Sequence, residues 1–168
     1  MGVRRILFVC TGNSCRSVMA QGILQRLLGQ AGMGVVTADS AGAFAIEGMG
    51  PTRETQSVLQ GFGVDCSAHR ARLVSEEMVR AADLVFVMEP FHAEEIQRRF
   101  PDAKGKVHLL KPYGLAPGEL VGPPGIPDPI GKPLEVYEVC FAQIREAVER
   151  VVKMIKAQPM TPPEQVGG

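Results

Sequence analysis

The sequence predicts an α/β sandwich around a four-stranded parallel sheet, and three observations carry that prediction. Four short β-type runs, Val3–Val9, Val35–Ala38, Leu84–Met88 and Val107–Leu110, alternate with stretches of helical periodicity. Such alternation places helices on both faces of a parallel sheet through right-handed crossovers. The run Leu84-Val85-Phe86-Val87-Met88 has no polar alternation, as a strand covered on both faces should look. The length of 168 residues, 45% hydrophobic and 21% charged, suits one domain with a sizeable core.

The elements follow in order. Ile6-Leu7-Phe8-Val9 leads straight into Cys10-Thr11-Gly12-Asn13-Ser14-Cys15-Arg16, and a helical pattern opens at about Ser17 and extends to residue 30. After the run Val35–Ala38, helical candidates lie near 52–60 and 75–82. Another lies near 90–99, behind the third run. Residues 112–129 hold six of the thirteen prolines and several glycines, so they form a loop, and a long loop in a compact domain is usually functional. In the last helix Leu134, Tyr137, Phe141, Ile144, Val148, Val151 and Ile155 step by three or four residues with charges opposite. The domain spans residues 1–157, and 158–168 read as a disordered tail.

Composition narrows the function. A formal net charge of zero gives no basic surface for nucleic acid, and no apolar run approaches a membrane span. Arg4-Arg5 followed by Ile6 to Val9 is too short for a signal peptide, and Ile6 stands where a myristoylation signal wants Ser or Thr. The chain reads as cytoplasmic. Cys10, Cys15, Cys66 and Cys140 read as reduced thiols, since a core of this size needs no disulfide. His69, His92 and His108 are scattered and two cysteines lack partners, so no metal or other cofactor is expected.

The chemistry concentrates between the first strand and the first helix. A cysteine at a strand end is ordinarily core; here an Arg lies six residues on, with Ser17 behind it. A loop entering a helix gathers backbone N–H donors, the helix dipole and the Arg16 guanidinium around one point. Such a point holds a phosphate-like dianion and keeps a thiolate ionised. In folds of this class ligands bind beyond the carboxyl ends of the strands, where Cys10 lies. A cation at a helix N-terminus opposes the dipole unless an anion sits there. Asn13 suits a left-handed backbone. Ser17 caps the helix, serves the sulfur, or does both. The implied reaction is attack by sulfur on phosphorus.

The run Val9-Cys10-Thr11-Gly12-Asn13-Ser14-Cys15-Arg16-Ser17-Val18-Met19-Ala20 closely resembles the phosphate-binding loop of low-molecular-weight protein tyrosine phosphatases. Further matches are Asp39-Ser40-Ala41-Gly42 after the second strand, His69-Arg70-Ala71-Arg72, Ala82-Asp83-Leu84, Met88-Glu89 and Asp128-Pro129 before a long terminal helix. The resemblance covers about residues 3–156 and is to the bacterial branch, which includes protein-arginine phosphatases. It implies a flavodoxin-like, three-layer sandwich of the phosphotyrosine protein phosphatase I type. It also implies a cysteinyl-phosphate mechanism with Cys10 as nucleophile, Arg16 as bidentate phosphate ligand and Asp128 as general acid on a loop able to close. Thr11, Gly12, Asn13, Ser14 and Cys15 would line the phosphate site, Ser17 would hydrogen-bond the sulfur, and Ser40 and His69 would buttress the loop. Cys15 is either a reversible disulfide partner for Cys10 or a small buried residue.

The resemblance implies a phosphorylated protein as substrate and free phosphate or related oxyanions as inhibitors; it leaves the oligomeric state open. Phosphotyrosine is the expected substrate, with phosphoarginine as the alternative. Ser14 stands where the eukaryotic tyrosine enzymes often carry Ile and members resembling arginine phosphatases carry Thr. Ile130-Gly131-Lys132 follow Asp128-Pro129 in place of the usual aromatics, leaving Phe44 as the aromatic wall of the pocket or as part of the core. A guanidinium would need acceptors, for which Glu47, Glu89 and Ser14 are candidates. Thioredoxin-coupled arsenate reductase shares the fold and loop, but its relay needs two more cysteines, and residues 67–139 contain none. A non-catalytic phosphate-binding module would have no use for Asp128.

Overall fold

The computed structural model describes residues 2–158. Its sheet consists of β1 (Arg5–Cys10), β2 (Thr37–Gly42), β3 (Leu84–Val87) and β4 (Val107–Leu109), all parallel, in spatial order β2-β1-β3-β4. The chain leaves β1 for β2 on one side and returns to β3 on the other. That reversal opens a crevice beyond the carboxyl ends of β1 and β3. Cys10 ends β1, and Met88-Glu89 follow β3, so the two segments face one another across the crevice.

Alternation along β1 sorts the core into two layers. Ile6, Phe8 and Cys10 join α1 (Arg16–Gln30) and α5 (Leu134–Ala157), while Leu7 and Val9 face α3 (Glu76–Ala81) and α4 (Pro90–Arg99). α2 (Arg53–Gly61) packs beside α1 and α5. Phe8 and Phe86 stack at 5.9 Å on the α1/α5 side. Burying such side chains contributes roughly 1.5–3 kcal/mol each. The sheet is covered on both faces, as the apolar run of β3 predicts. α2 and α3 start on Thr52 and Ser75, whose hydroxyls accept the Thr55 and Met78 N–H groups. Residues 112–129 contain no helix or strand. No helix among the described residues is long and apolar enough to cross a membrane.

The second strand departs from expectation. It runs Thr37–Gly42 rather than Val35–Ala38, in register from Arg5↔Thr37 to Cys10↔Gly42, and Val35 is exposed. Asp39-Ser40-Ala41-Gly42 therefore lies within the strand. Backbone pairing with β1 overrides local polarity, and the buried Ser40 hydroxyl is satisfied by donating to Gln21 Oε1 at 2.6 Å. β1 begins at Arg5, not Val3. A 3-10 turn at Pro101–Lys106 has no counterpart in the sequence reading. Of the tail, Gln158 accepts the Val3 N–H; residues 159–168 lie outside the described residues.

Candidate active site

The loop from Cys10 to Arg16 is shaped by Asn13. It is the one non-glycine residue with positive φ (55°) among the described residues, a conformation Asn tolerates better than most side chains. Its side-chain amide and its carbonyl are both engaged. Oδ1 accepts the Arg72 N–H at 3.0 Å, the carbonyl accepts from His69 Nε2 at 2.9 Å, and Nδ2 donates to Ser17 Oγ at 2.8 Å. Ser17 Oγ lies 3.0 Å from Cys10 Sγ. With Asn13 donating into the hydroxyl, the Ser17 proton is left for the sulfur. Ser17 sits in the first turn of α1 and does not cap it; Cys15 holds the cap position without a side-chain hydrogen bond.

The neighbouring strand end holds the loop closely. Ala43 and Phe44 donate their N–H groups to the Cys10 and Thr11 carbonyls at 2.8 and 3.0 Å. A Cβ on Gly42 would stand 2.6 Å from the Thr11 carbonyl oxygen, so only glycine permits this approach. Among the described residues, no backbone N–H from Gly12 to Ser17 finds an acceptor. They form an arc of unspent donors at a helix N-terminus.

Arg16 is 1% exposed, and a guanidinium so buried needs compensating charge. Nη1 donates to Glu89 Oε2 at 2.6 Å and to the Ile126 carbonyl at 2.8 Å. Nη2 lies 3.3 Å from Thr11 Oγ1 and 3.4 Å from Asp128 Oδ2. Nε is buried with no partner. One edge of the fork is thus anchored to protein, while the Nε side keeps a free donor.

His92 sits behind this arrangement, fully buried. Burial and the neighbouring Arg16 charge push its pKa down to about 3 from an ordinary 6.5. Unfolded chains take up this proton near 6.5 and folded ones only near 3. The unfolded state binds more protons within that window, so stability falls as pH drops through it. Replacing His92 with Gln is expected to flatten the fall. Denaturant midpoints measured from about pH 7 to about pH 4 check this, and an unchanged slope would assign the effect elsewhere.

The family model described as Low molecular weight phosphotyrosine protein phosphatase matches residues 5–160. The chain belongs to that family. It is 36% identical over 157 residues to a protein-arginine-phosphatase of Geobacillus stearothermophilus, covering 92% of this chain and 97% of the relative. It is also 36% identical over 155 residues to the probable low molecular weight protein-tyrosine-phosphatase EpsP of Ralstonia nicotianae, covering 92% and 98%. Among solved structures, the arginine phosphatase YwlE with a phosphorylated active-site serine in a Cys-to-Ser mutant superposes with TM-score 0.83 at 28% identity, covering 92% of this chain and 97% of that one. The tyrosine phosphatase Wzb of Escherichia coli K30 in complex with phosphate gives TM-score 0.77 at 27% identity, covering 91% and 92%.

Within this phosphatase fold, the expected site residues fall mostly in one place. Cys10, Thr11, Asn13, Arg16 and Ser17 form the connected group described above, and Asp128 reaches it from the Pro-rich loop. The Asp128 Oδ1 atom accepts the Ile130 N–H, and the Ile126 N–H bonds the Met88 carbonyl, tying that loop to the end of β3. His69 supports the Asn13 carbonyl; burial lowers its pKa. Ser14 accepts the Thr52 N–H through its carbonyl. Phe44 is 54% exposed and belongs to the rim rather than the core. Ser40 makes no direct hydrogen bond to the loop: its hydroxyl donates to Gln21 on α1, and its carbonyl accepts from the Arg72 guanidinium, whose backbone N–H holds Asn13.

Cys15 is buried, its sulfur 3.5 Å from the Tyr137 hydroxyl and 3.6 Å from Thr52 Oγ1. Burial raises the Tyr137 pKa above its ordinary value and pushes Cys140 up to about 12, which leaves Cys140 an inert thiol. No cluster among the described residues is placed to hold a metal ion. Sequence reasoning missed the roles of Glu89 and His92. The signal was available: both follow β3, whose carboxyl end faces that of β1 across the crevice.

Proposed function

We propose that this phosphatase hydrolyses phosphotyrosine in proteins through a cysteinyl-phosphate intermediate. The carrying observation is a loop with the Cys10 sulfur at one end and a buried guanidinium nitrogen without a partner at the other. The Nε donor of Arg16 and the unspent N–H arc suit the oxygens of a phosphoryl group, whose charge they stabilise in transfer. The phosphate found in the related Wzb structure supports this use.

In the first step the Cys10 thiolate attacks phosphorus, the P–O bond to the phenol breaks, and Asp128 gives its proton to the departing oxygen. In the second, Asp128 takes a proton from water, the water oxygen attacks phosphorus, and the S–P bond breaks. The Ser17 hydroxyl then donates to the departing thiolate. Arg16 spans both groups, since its Nη2 lies beside Asp128.

Two observations favour the aryl substrate over phosphoarginine. Phe44 stands exposed beside the loop, its N–H on the Thr11 carbonyl, and an aromatic ring gains from an apolar wall. Two candidate guanidinium acceptors already have one oxygen engaged: Glu47 Oε1 accepts the Leu73 N–H at 2.7 Å and Glu89 Oε2 holds Arg16. Ser14 is the residue whose size differs from the eukaryotic tyrosine enzymes. Comparing turnover of phosphotyrosine and phosphoarginine peptides tests the assignment, with phosphotyrosine expected to dominate. Ser14→Ile is expected to tilt the ratio further toward phosphotyrosine, by about tenfold for one added apolar contact. A wild-type preference for phosphoarginine would overturn the substrate, and no tilt would remove Ser14 from its determinants.

A further inference from the structure

Arg16 must present one edge to the phosphate while its other donors stay anchored. Glu89 and the Ile126 carbonyl fix Nη1, but Nη2 rests on Thr11 Oγ1, a hydroxyl on the loop itself. That hydroxyl needs its own anchor, and His92 Nε2 lies 2.8 Å from it. The His92 Nδ1 atom accepts the Glu89 N–H at 3.0 Å. An imidazole accepting at Nδ1 carries its proton on Nε2, so His92 donates to Thr11. The Phe91 ring packs against the imidazole at 4.2 Å. His92 and Arg16 Nη2 together fill the acceptor capacity of the Thr11 hydroxyl, leaving its proton as a further donor.

We propose that His92 is a positioning residue for phosphoryl transfer: it holds the Thr11 hydroxyl against Arg16, so that the guanidinium meets the phosphate in one orientation. The inference rests on the phosphatase reading and adds to it a group on α4, outside the loop. It contains no new covalent step. Its consequence is that Glu89 and His92, three residues apart at one helix start, hold opposite ends of the same guanidinium, one directly and one through Thr11.

The competing role is purely structural, closure of the α4 N-terminus through Nδ1, and two substitutions separate the roles. His92→Asn places an amide oxygen near the Nδ1 position, keeping the acceptor for Glu89, and is too short to reach Thr11. His92→Gln places an amide nitrogen near the Nε2 position and restores the donor. With p-nitrophenyl phosphate as substrate, His92→Asn is expected to lose about tenfold or more in kcat/KM, and orthophosphate to inhibit it more weakly. His92→Gln is expected to recover most of that loss. Thr11→Val should match His92→Asn, and the double variant should fall no more than about twofold below either single one, because both remove the same link.

Wild-type kcat/KM and phosphate inhibition in His92→Asn would overturn the proposal. So would a His92→Gln variant no better than His92→Asn, or losses that multiply in the double variant. If His92→Asn does not fold, Thr11→Val decides, since it leaves the α4 start intact. Orthophosphate binding by calorimetry is then expected to weaken, and unchanged binding would overturn the proposal. Failure of the underlying reading looks different: the wild-type protein would release no phosphate, whereas calorimetric phosphate binding would still report on His92.

Discussion

Cys10→Ser is expected to lose roughly 10⁴-fold or more in phosphate release while still binding a phosphorylated peptide. The reason lies in what surrounds the sulfur. A serine hydroxyl is far less acidic than a thiol and must give up its proton to attack, and none of the side chains hydrogen-bonded to the loop is free to take it. The Ser17 hydroxyl points a proton at this position, His69 donates to the Asn13 carbonyl, and His92 accepts at Nδ1 from the Glu89 N–H. With Asn13 Nδ2 donating into it, the Ser17 hydroxyl is placed to donate to the atom at this position and not to take a proton from it. The anion-binding donors belong to Arg16 and the loop backbone, which the substitution leaves in place. Single-turnover phosphate release and calorimetric peptide binding give the two readouts. Hydrolysis within about tenfold of wild type would remove Cys10 from the role of nucleophile.

Asp128→Asn is expected to lower kcat about 10²- to 10³-fold on a phosphotyrosine peptide. The loss should be smaller on p-nitrophenyl phosphate, whose leaving group needs less protonation. Phosphate binding should persist or tighten, because the carboxylate that lies 3.4 Å from Arg16 Nη2 competes with an incoming anion for the same charge. A merely structural Asp would instead lower turnover of both substrates alike and weaken phosphate inhibition. Equal turnover by Asp128→Asn and wild type would remove the acid assignment and leave the loop as an anion-binding module.

Each half of the fold was legible for a different physical reason. β3 and α5 announce themselves by hydrophobic pattern, because both bury apolar surface along their whole length. β2 hides, because Asp39 and Ser40 interrupt its apolar run; its bounds are set by backbone pairing to β1, which no local pattern reports. The 3-10 turn after α4 is likewise a matter of how the chain reaches β4. Ser40 shows how indirectly a role carried across by resemblance can be filled. Its hydroxyl is held by Gln21, while His69 and the Arg72 N–H support the loop directly and the Ser40 carbonyl accepts from the Arg72 guanidinium.

The sequence by itself determined the reaction. Cys10, Arg16 and Ser17 are neighbours along the chain, and a strand running into a helix forces them around one point whatever the rest of the molecule does. Tertiary structure decided how that point is held. Glu89 and His92 lie more than seventy residues from the loop, and Asp128 more than a hundred. They meet Arg16 because the strand order reverses between β1 and β3 and the Pro-rich loop is tied back through Ile126. Charge burial explains why such partners must exist: a guanidinium 1% exposed cannot stand without them. Which residues fill that need depends on which strand ends the topology brings together.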